Sequence, residues 1–154
     1  MTLPDTFTLD LPDETATAAL GARLAAVAQA GDVILLSGAI GAGKSHLARA
    51  FIRARLGQGE EVPSPTFTLI QTYGPPDAEI FHADLYRLTH PDEVWELGLD
   101  DAFTRAICLV EWPDRLGTHL PPGALHLDLS ALGEGRRATL RGGREALRKA
   151  ALDG

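Results

Sequence analysis

Apolar positions in the first third of the chain predict a helix followed by a buried strand. Asp13 is a typical N-cap residue, and the segment after it places apolar residues at helical spacing, namely Leu20, Leu24 and Val27. Gly31 marks the expected end of this helix. The next segment, VILLSG at 33–38, is almost continuously apolar. Such a run is typical of a strand that is buried on both faces of a parallel sheet.

A second helix is predicted directly after the glycine-rich segment that follows this strand. The sequence KSHLARAFIRARLG begins at Lys44 and places three apolar residues on or near one helical face, namely Leu47, Phe51 and Leu56. Gly57 is a natural position for the helix to end. Strand, glycine-rich segment and helix therefore follow one another in the order found in phosphate-binding loops.

The middle of the chain predicts a hairpin and a short helix. Strands are predicted at 66–74 and 79–88, and the intervening GPPDA favours an antiparallel turn between them. Residues 90–103 open with a Pro-Asp-Glu start signal after His90 and carry apolar residues among charges. We therefore predict one short helix over that range.

The last third of the chain predicts a buried strand, a closing hairpin and a tail. AICLVEW at 106–112 has the pattern of a buried strand, and the patterns at 124–132 and 136–142 predict a hairpin around GEG. The tail at 144–154 is expected to form a polar helix or a frayed end. Together, the elements predict an α/β P-loop NTPase fold, with three layers and a mixed, mainly parallel central sheet that carries an antiparallel hairpin.

Length and composition narrow the class of protein. A chain of 154 residues fits one domain, which we place over 1–154 with its core at about 11–141. Hydrophobic residues make up 45% and charged residues 23%, which excludes a largely disordered chain. No apolar run approaches the length of a membrane span and the N-terminal sequence lacks a signal pattern, so we expect a cytoplasmic protein without membrane association. The net charge of −7 argues against direct binding of DNA or RNA.

Residues 38–45 carry the strongest chemical signal in the chain. They read GAIGAGKS and match the pattern G-x-x-x-x-G-K-[ST]. Glycines allow successive N–H groups to turn toward an anion, and the following helix adds its positive end. We expect Lys44 to reach the β- and γ-phosphates and the Ser45 hydroxyl to ligate Mg²⁺. This predicted phosphate loop consists of Gly38, Ala39, Ile40, Gly41, Ala42, Gly43, Lys44 and Ser45.

Two carboxylates end apolar strand patterns. Glu111 follows AICLV and Asp84 follows EIFHA. Mg²⁺ on a triphosphate needs hard oxygen ligands, and hydrolysis needs a group that positions water. One such acid alone is more simply interpreted as a solvated strand end, whereas two beside a phosphate loop favour a role in the chemistry.

Three further features leave alternatives open. The segment SPTFT at 64–68 lies where small NTPases place a switch loop, but it fits a rigid turn equally well because prolines restrict their neighbours. Trp112 fits core packing more simply than function, although a Trp beside a metal-binding acid can face a site or a partner. The five histidines form no metal-ligand spacing, so we interpret His82 as structural, noting that it lies near Asp84.

These motifs, taken in order, resemble the TsaE family, also called YjeE, whose members are small bacterial ATPases of tRNA threonylcarbamoyladenosine synthesis. The resemblance covers about 11–140 and rests on LPDETATAALG, GAIGAGKS, VPSPTFTL, HADLYRL, ELGLDD and VEWPDRL. It implies an ATP and Mg²⁺ site at the phosphate loop and an obligatory partnership with the TsaD catalytic subunit and its TsaB partner. It also implies a nucleotide cycle that supports repeated transfer of threonylcarbamoyl to adenosine 37 of ANN-decoding tRNAs, a transfer that the ATPase does not itself perform.

The resemblance assigns roles in ATP hydrolysis to five residues. It implies that Lys44 binds phosphate and that Ser45 and Glu111 ligate Mg²⁺. Asp84 becomes a candidate for arranging water or the metal shell, and Thr66 becomes a switch hydroxyl. The family often has Thr at the position of Ser45, and either residue supplies the hydroxyl that Mg²⁺ requires.

The resemblance also assigns roles around the nucleotide and toward partners. Asp13 and Glu14 would approach the adenine, and Arg136 would cover the nucleotide from the closing hairpin. Ser64 belongs to the switch segment. Trp112 gains a functional role as a switch or partner residue, and tRNA is contacted only indirectly.

A small-molecule or nucleotide kinase is the main alternative. A kinase needs an acceptor pocket and usually mobile arginines that close over the transferred phosphoryl group. The arginines of this chain are scattered, and no insertion has the length of a lid. We therefore favour an ATPase that hydrolyses slowly by itself and is stimulated by partners.

Overall fold

The computed structural model describes residues 4–39, 41–63 and 69–153. Within them, strands of one sheet alternate with helices. The strands are β1 (Thr6–Leu11), β2 (Val33–Ser37), β3 (Ile70–Tyr73), β4 (Ile80–Asp84), β5 (Ile107–Glu111), β6 (Leu125–Leu132) and β7 (Gly135–Gly142). The helices are α1 (Glu14–Val27), α2 (Lys44–Leu56), α3 (Glu93–Leu97), α4 (Leu99–Arg105), α5 (Glu145–Leu152) and a 3-10 segment at Pro113–His119.

The sheet has a parallel centre and antiparallel flanks. Its strand order is β1-β7-β6-β2-β5-β4-β3. β6, β2, β5 and β4 are parallel neighbours, whereas β1, β7 and β3 pair antiparallel with theirs. The carboxyl ends of the four parallel strands therefore meet at one edge of the sheet. The predicted α/β class, mixed sheet and both antiparallel hairpins are confirmed.

Side chains of the central strands alternate between two hydrophobic layers. Ile34 and Leu36 of β2 join the apolar cluster that contains the buried faces of α1 and α2. Val33 and Leu35 join the cluster that contains the apolar residues of α3 and α4. The sheet is thus covered on both faces, which gives the predicted three layers and explains the continuous apolar run of β2.

Two predicted strands are shorter in the structure. The strand predicted at 79–88 ends at Asp84, because its Oδ1 accepts a hydrogen bond from the Tyr86 N–H at 3.1 Å and the chain turns there. Of the strand predicted at 66–74, the structure has β3 from Ile70; residues 64–68 lie outside the described residues.

The predicted helices are also corrected. The single helix expected over 90–103 is two helices, because Gly98 adopts a φ of 78° and separates α3 from α4. The first helix ends at Val27 rather than near Gly31. Its predicted cap is confirmed, since Asp13 Oδ1 accepts a hydrogen bond from the Ala16 N–H at 2.8 Å. Gly57 ends α2 as predicted.

Both ends of the chain, before and after the predicted core at 11–141, also pack against the rest of the protein. β1, which the sequence analysis did not predict, adds to the sheet beside β7 with Leu11 buried. The tail forms α5, whose Leu147 and Ala151 are buried and whose last carbonyls accept hydrogen bonds from Arg23 of α1. Within the described part of the chain, the helices are too short or too polar to cross a membrane.

A glycine allows α1 to lie close to α2, the helix that follows the phosphate loop. A Cβ built on Gly21 would lie 2.7 Å from the Leu47 carbonyl oxygen and 3.3 Å from the Phe51 nitrogen. Both are backbone atoms that cannot rotate away. Gly21 therefore sets the distance between the two helices and, through α2, the position of the phosphate loop.

We expect Gly21→Ala to destabilise the protein by about 1–3 kcal/mol, since overpacking outweighs the gain of about 0.5–1 kcal/mol that alanine brings to a helix interior. Thermal or urea unfolding measures the change. The control is Ala22→Gly at the next, exposed position of α1. The control should lose only the stability that corresponds to the lower helix preference of glycine. A Gly21→Ala protein as stable as wild type would contradict the close approach of α1 and α2.

Candidate functional site

A cavity of about 620 Å³ opens at the edge where the parallel strands end. In folds of this type, ligands bind at the carboxyl edge of the sheet. The cavity wall combines the start of α1, the phosphate loop, the ends of β4 and β5, and the turn between β6 and β7. The structure thus brings together residues that the sequence analysis proposed from five separate segments: Asp13, Gly41, Ala42, Gly43, Lys44, Ser45, Asp84, Glu111, Trp112 and Arg136.

The phosphate loop depends on glycine at several positions. Gly38, Gly41 and Gly43 have φ values of 141°, 82° and 105°. A Cβ on Gly38 would also lie 2.4 Å from the Leu129 carbonyl oxygen of β6, so the loop passes directly against that strand. Ala39 lies in the described part of the loop, whereas Ile40 lies outside the described residues.

The amino end of α2 faces the cavity without a side-chain cap. Gly43 is the N-cap residue, and no side chain in the described residues caps it. The first N–H groups of a helix have no partner within the helix, and they carry the positive end of its dipole. The residues that follow, Lys44 and Ser45, line the cavity. This helix end can therefore bind an anion.

Lys44 is folded back against its own loop. Its Nζ donates hydrogen bonds to the carbonyl oxygens of Gly38 and, at 3.2 Å, of Ala39, and it lies 3.9 Å from the centre of the Trp112 ring. Desolvation by burial lowers the pKa of Lys44, and the nearby carboxylates of Glu111 and Asp84 oppose this effect. A buried cation beside the uncapped start of a helix is suited to bind a multiply charged anion, whereas the two acids are suited to bind a cation.

Glu111 is the most deeply buried acid of the site, with 2% of its surface exposed. Its Oε1 and Oε2 lie 3.0 and 3.2 Å from the Ser45 hydroxyl, which donates to the carboxylate. Its Oε2 also lies 2.7 Å from His82 Nε2. The two predicted metal ligands, Ser45 and Glu111, are therefore in direct contact.

Asp84 lies beside Glu111 at the end of the neighbouring strand. The two residues are register partners of β4 and β5, and both line the cavity. Burial raises the pKa of Asp84, while the hydrogen bond from the Tyr86 N–H lowers it. In the described residues, no group of three or more His, Cys, Asp or Glu side chains could hold a metal ion.

Trp112 forms a wall of the cavity rather than core packing alone. It has a φ of 59°, which is uncommon for a non-glycine residue and turns the chain sharply after Glu111. Its ring lies on the Lys44 ammonium and contacts the ring of Tyr86 at 4.9 Å between centroids. The strand predicted to include Trp112 ends one residue earlier, at Glu111.

Arg136 supports the phosphate loop from the closing hairpin. Its guanidinium donates to the Ala42 carbonyl oxygen from Nε and to the Gly41 carbonyl oxygen from Nη2, each at 2.9 Å. Asp13, on the cavity wall at the start of α1, accepts the capping hydrogen bond of that helix. Glu14 also lines the cavity, and its carbonyl oxygen lies 3.1 Å from His46 Nε2.

Two parts of the predicted site need separate comment. Ser64 and Thr66, the proposed switch residues, lie outside the described residues, so their role stays a prediction. His82, interpreted as structural, contacts Glu111 directly. The signal for this contact is its position two residues before Asp84, which places both on the same face of a strand.

Comparisons with known proteins agree on one family. The sequence model of the family described as threonylcarbamoyl adenosine biosynthesis protein TsaE matches residues 11–139. The chain is 37% identical over 129 residues to the tRNA threonylcarbamoyladenosine biosynthesis protein TsaE of Rickettsia felis, which covers 84% of this chain and 75% of that protein. It is 38% identical over 127 residues to the Bacillus subtilis protein of that name, with coverages of 82% and 77%.

A solved structure supports the fold. The crystal structure of Bacillus subtilis YdiB aligns with a TM-score of 0.75 and 25% identity, and the alignment covers 99% of this chain and 96% of that one.

We expect Arg136→Ala to weaken binding of a polyphosphate anion such as tripolyphosphate, measured by titration calorimetry, about tenfold, because hydrogen bonds to charged groups contribute about 1.5–3 kcal/mol and this site is only partly buried. Amide hydrogen exchange at residues 41–43 without nucleotide should also speed up. The matched control is Arg137→Ala, since Arg137 instead contacts Asp10 at 3.2 Å with both side chains exposed. Equal effects of the two variants, or unchanged exchange in Arg136→Ala, would contradict the supporting role.

Proposed function

The chain belongs to the TsaE family, and on that premise we propose that it is a Mg²⁺-dependent ATPase of tRNA threonylcarbamoyladenosine biosynthesis. Its similarity to bacterial TsaE proteins supports a role in this pathway. One observation carries the ATPase proposal: the uncapped start of α2, the Lys44 ammonium and the contact between Ser45 and Glu111 line one cavity.

The residues present fit a nucleoside triphosphate. The cavity volume of about 620 Å³ lies within the range of small-molecule sites. Phosphate would be held by N–H groups at the start of α2 and by Lys44, whose Nζ would exchange the carbonyl oxygens of Gly38 and Ala39 for phosphate oxygens. Asp13 and Glu14 lie at the wall proposed to receive the adenine.

The donor set also fits Mg²⁺. This ion prefers oxygen ligands and is usually bound by one or two protein oxygens together with substrate phosphates. Ser45 and Glu111 would supply a hydroxyl and a carboxylate that are already in contact, with Asp84 at the adjacent strand end. When bound, Mg²⁺ supplies positive charge that offsets the charge developing on the phosphates.

Within this site, the protein's own groups divide the work of hydrolysis. Lys44 orients the phosphates, and Trp112 and Tyr86 form a wall beside Lys44 that limits access of water. Asp84 is proposed to accept a hydrogen bond from the attacking water. Thr66 is proposed to respond to the γ-phosphate.

We further propose that the ATPase acts with TsaD and TsaB. In this scheme, its nucleotide cycle supports repeated transfer of the threonylcarbamoyl group to adenosine 37 by those subunits. The chain contacts tRNA only through them, consistent with its net charge of −7. Hydrolysis by the isolated chain is then slow, and the partners stimulate it.

Titration calorimetry with ATP and Mg²⁺, together with a phosphate-release assay, tests the site. We expect Lys44→Ala to weaken ATP binding about a hundredfold, because it removes charge-assisted hydrogen bonds worth about 1.5–3 kcal/mol each. Glu111→Gln should keep the packing but reduce hydrolysis and the dependence on Mg²⁺. The control is Lys149→Ala, which changes the other lysine of the chain at an exposed position on α5. If Lys44→Ala and Glu111→Gln both hydrolysed ATP at the wild-type rate, this cavity would be excluded as the ATPase site.

A pull-down from a lysate of the source cells tests the partnership. We expect tagged protein to recover TsaD and TsaB with ATP and Mg²⁺, and to recover much less of both with Lys44→Ala. Adding the two purified partners should raise the rate of phosphate release. Rapid turnover by the isolated chain with phosphorylation of a metabolite would instead establish a kinase.

A further inference from the structure

His82 occupies a position that is otherwise apolar. Along β4, Ile80 faces the layer between the sheet and α1 and α2, and His82 is on the same face two residues later. Its register partner on β5 is Leu109, which belongs to that same apolar layer. Only 1% of the surface of His82 is exposed. An imidazole at such a position requires a hydrogen-bond partner, because an unpaired buried polar group is costly.

That partner is the carboxylate of Glu111. His82 Nε2 lies 2.7 Å from Oε2. His82 Nδ1 is buried and has no partner in the described residues. The tautomer that carries its hydrogen on Nε2 therefore donates to Glu111 and leaves no buried N–H unpaired, which is why we assign this tautomer.

The two oxygens of Glu111 are thus used differently. The Ser45 hydroxyl lies close to both, at 3.0 Å from Oε1 and 3.2 Å from Oε2, whereas only Oε2 also accepts the bond from His82. The Glu111 carboxylate also interacts through space with the Lys44 ammonium. A glutamate side chain has three rotatable bonds, so contact with one partner alone does not fix the plane of its carboxylate. The hydrogen bond from His82 to Oε2 is a second contact, and it fixes the plane of the carboxylate.

We propose that His82 is a positioning residue, which holds the Glu111 carboxylate beside Ser45 so that Mg²⁺ finds both oxygen ligands in place. This inference rests on the proposed function, because it concerns the metal of the same site. His82 does not touch nucleotide or metal in this scheme and acts through Glu111. Groups that orient metal ligands in this way typically change metal affinity about 10–100-fold when they are removed.

Binding of a non-hydrolysable ATP analogue, AMP-PNP, tests the proposal without measuring activity. Calorimetry gives its Kd in MgCl₂ and in excess EDTA, and the ratio of the two values is the enhancement due to Mg²⁺. We expect His82→Leu to reduce this enhancement about tenfold while the Kd in EDTA stays near that of wild type.

Two polar variants separate positioning from packing. His82→Gln places an amide N–H near the position of Nε2 and should restore most of the enhancement. His82→Asn is polar but too short to reach Glu111, so it should behave like His82→Leu. This pair decides the question even if the apolar variant fails to fold. Ile80→Ala is the matched control, because it leaves a cavity on the same face of β4 and should lower the melting temperature without changing the ratio.

The outcomes separate this inference from the proposed function. Wild-type protein that binds AMP-PNP with no effect of Mg²⁺, or does not bind it, contradicts both. Wild-type protein with a clear enhancement that His82→Leu and His82→Asn retain contradicts only the role of His82. An equal loss of affinity in MgCl₂ and in EDTA would likewise assign His82 to packing alone.

Discussion

The buried carboxylate of Glu111 is the constraint on which the arrangement of the site depends. A charge with 2% of its surface exposed must be paired, and both of its hydrogen-bonding partners come from other elements. Ser45 lies at the start of α2, and His82 lies on β4. One acid therefore fixes the first turn of α2 against the ends of β4 and β5. The relative positions of α2, β4 and β5 at the cavity depend on meeting that electrostatic requirement.

Lys44, which is also buried at the site, is paired by different means. It uses two carbonyl oxygens of its own loop and the face of the Trp112 ring, while Glu111 uses a hydroxyl and an imidazole. Each charged group is thus paired before a ligand arrives. The affinity for an anion in this loop would then be a difference between new and existing interactions. A loop that binds its own lysine would favour strongly charged anions, because an anion must compete with the carbonyl oxygens for the ammonium.

The sequence predicted the parts of the structure that depend on local patterns. Apolar periodicity located α2 and the buried strands, and the glycines of 38–45 located the phosphate loop. The sequence analysis missed two positions where a single residue ends an element. Gly98 divides a predicted helix into two, and Asp84 ends a strand through one hydrogen bond. The contact between His82 and Glu111 was missed because it depends on which strands are neighbours. Spacing along the chain places His82 and Asp84 on one face of a strand, but it does not say that this strand lies next to the one that ends at Glu111.

The close packing of the phosphate loop on β6 also limits how such a protein can change over generations. Gly38 has no room for a side chain because the Leu129 carbonyl oxygen occupies that space, and Gly135 meets the backbone of Leu11 and Pro12 in the same way. The phosphate loop, the β6–β7 hairpin and β1 therefore pack with their backbones in direct contact. A larger residue at Gly38 or Gly135 would therefore require the neighbouring backbone to move with it, whereas the exposed side chains of Asp128 and Ser130 on β6 can change size without such a movement.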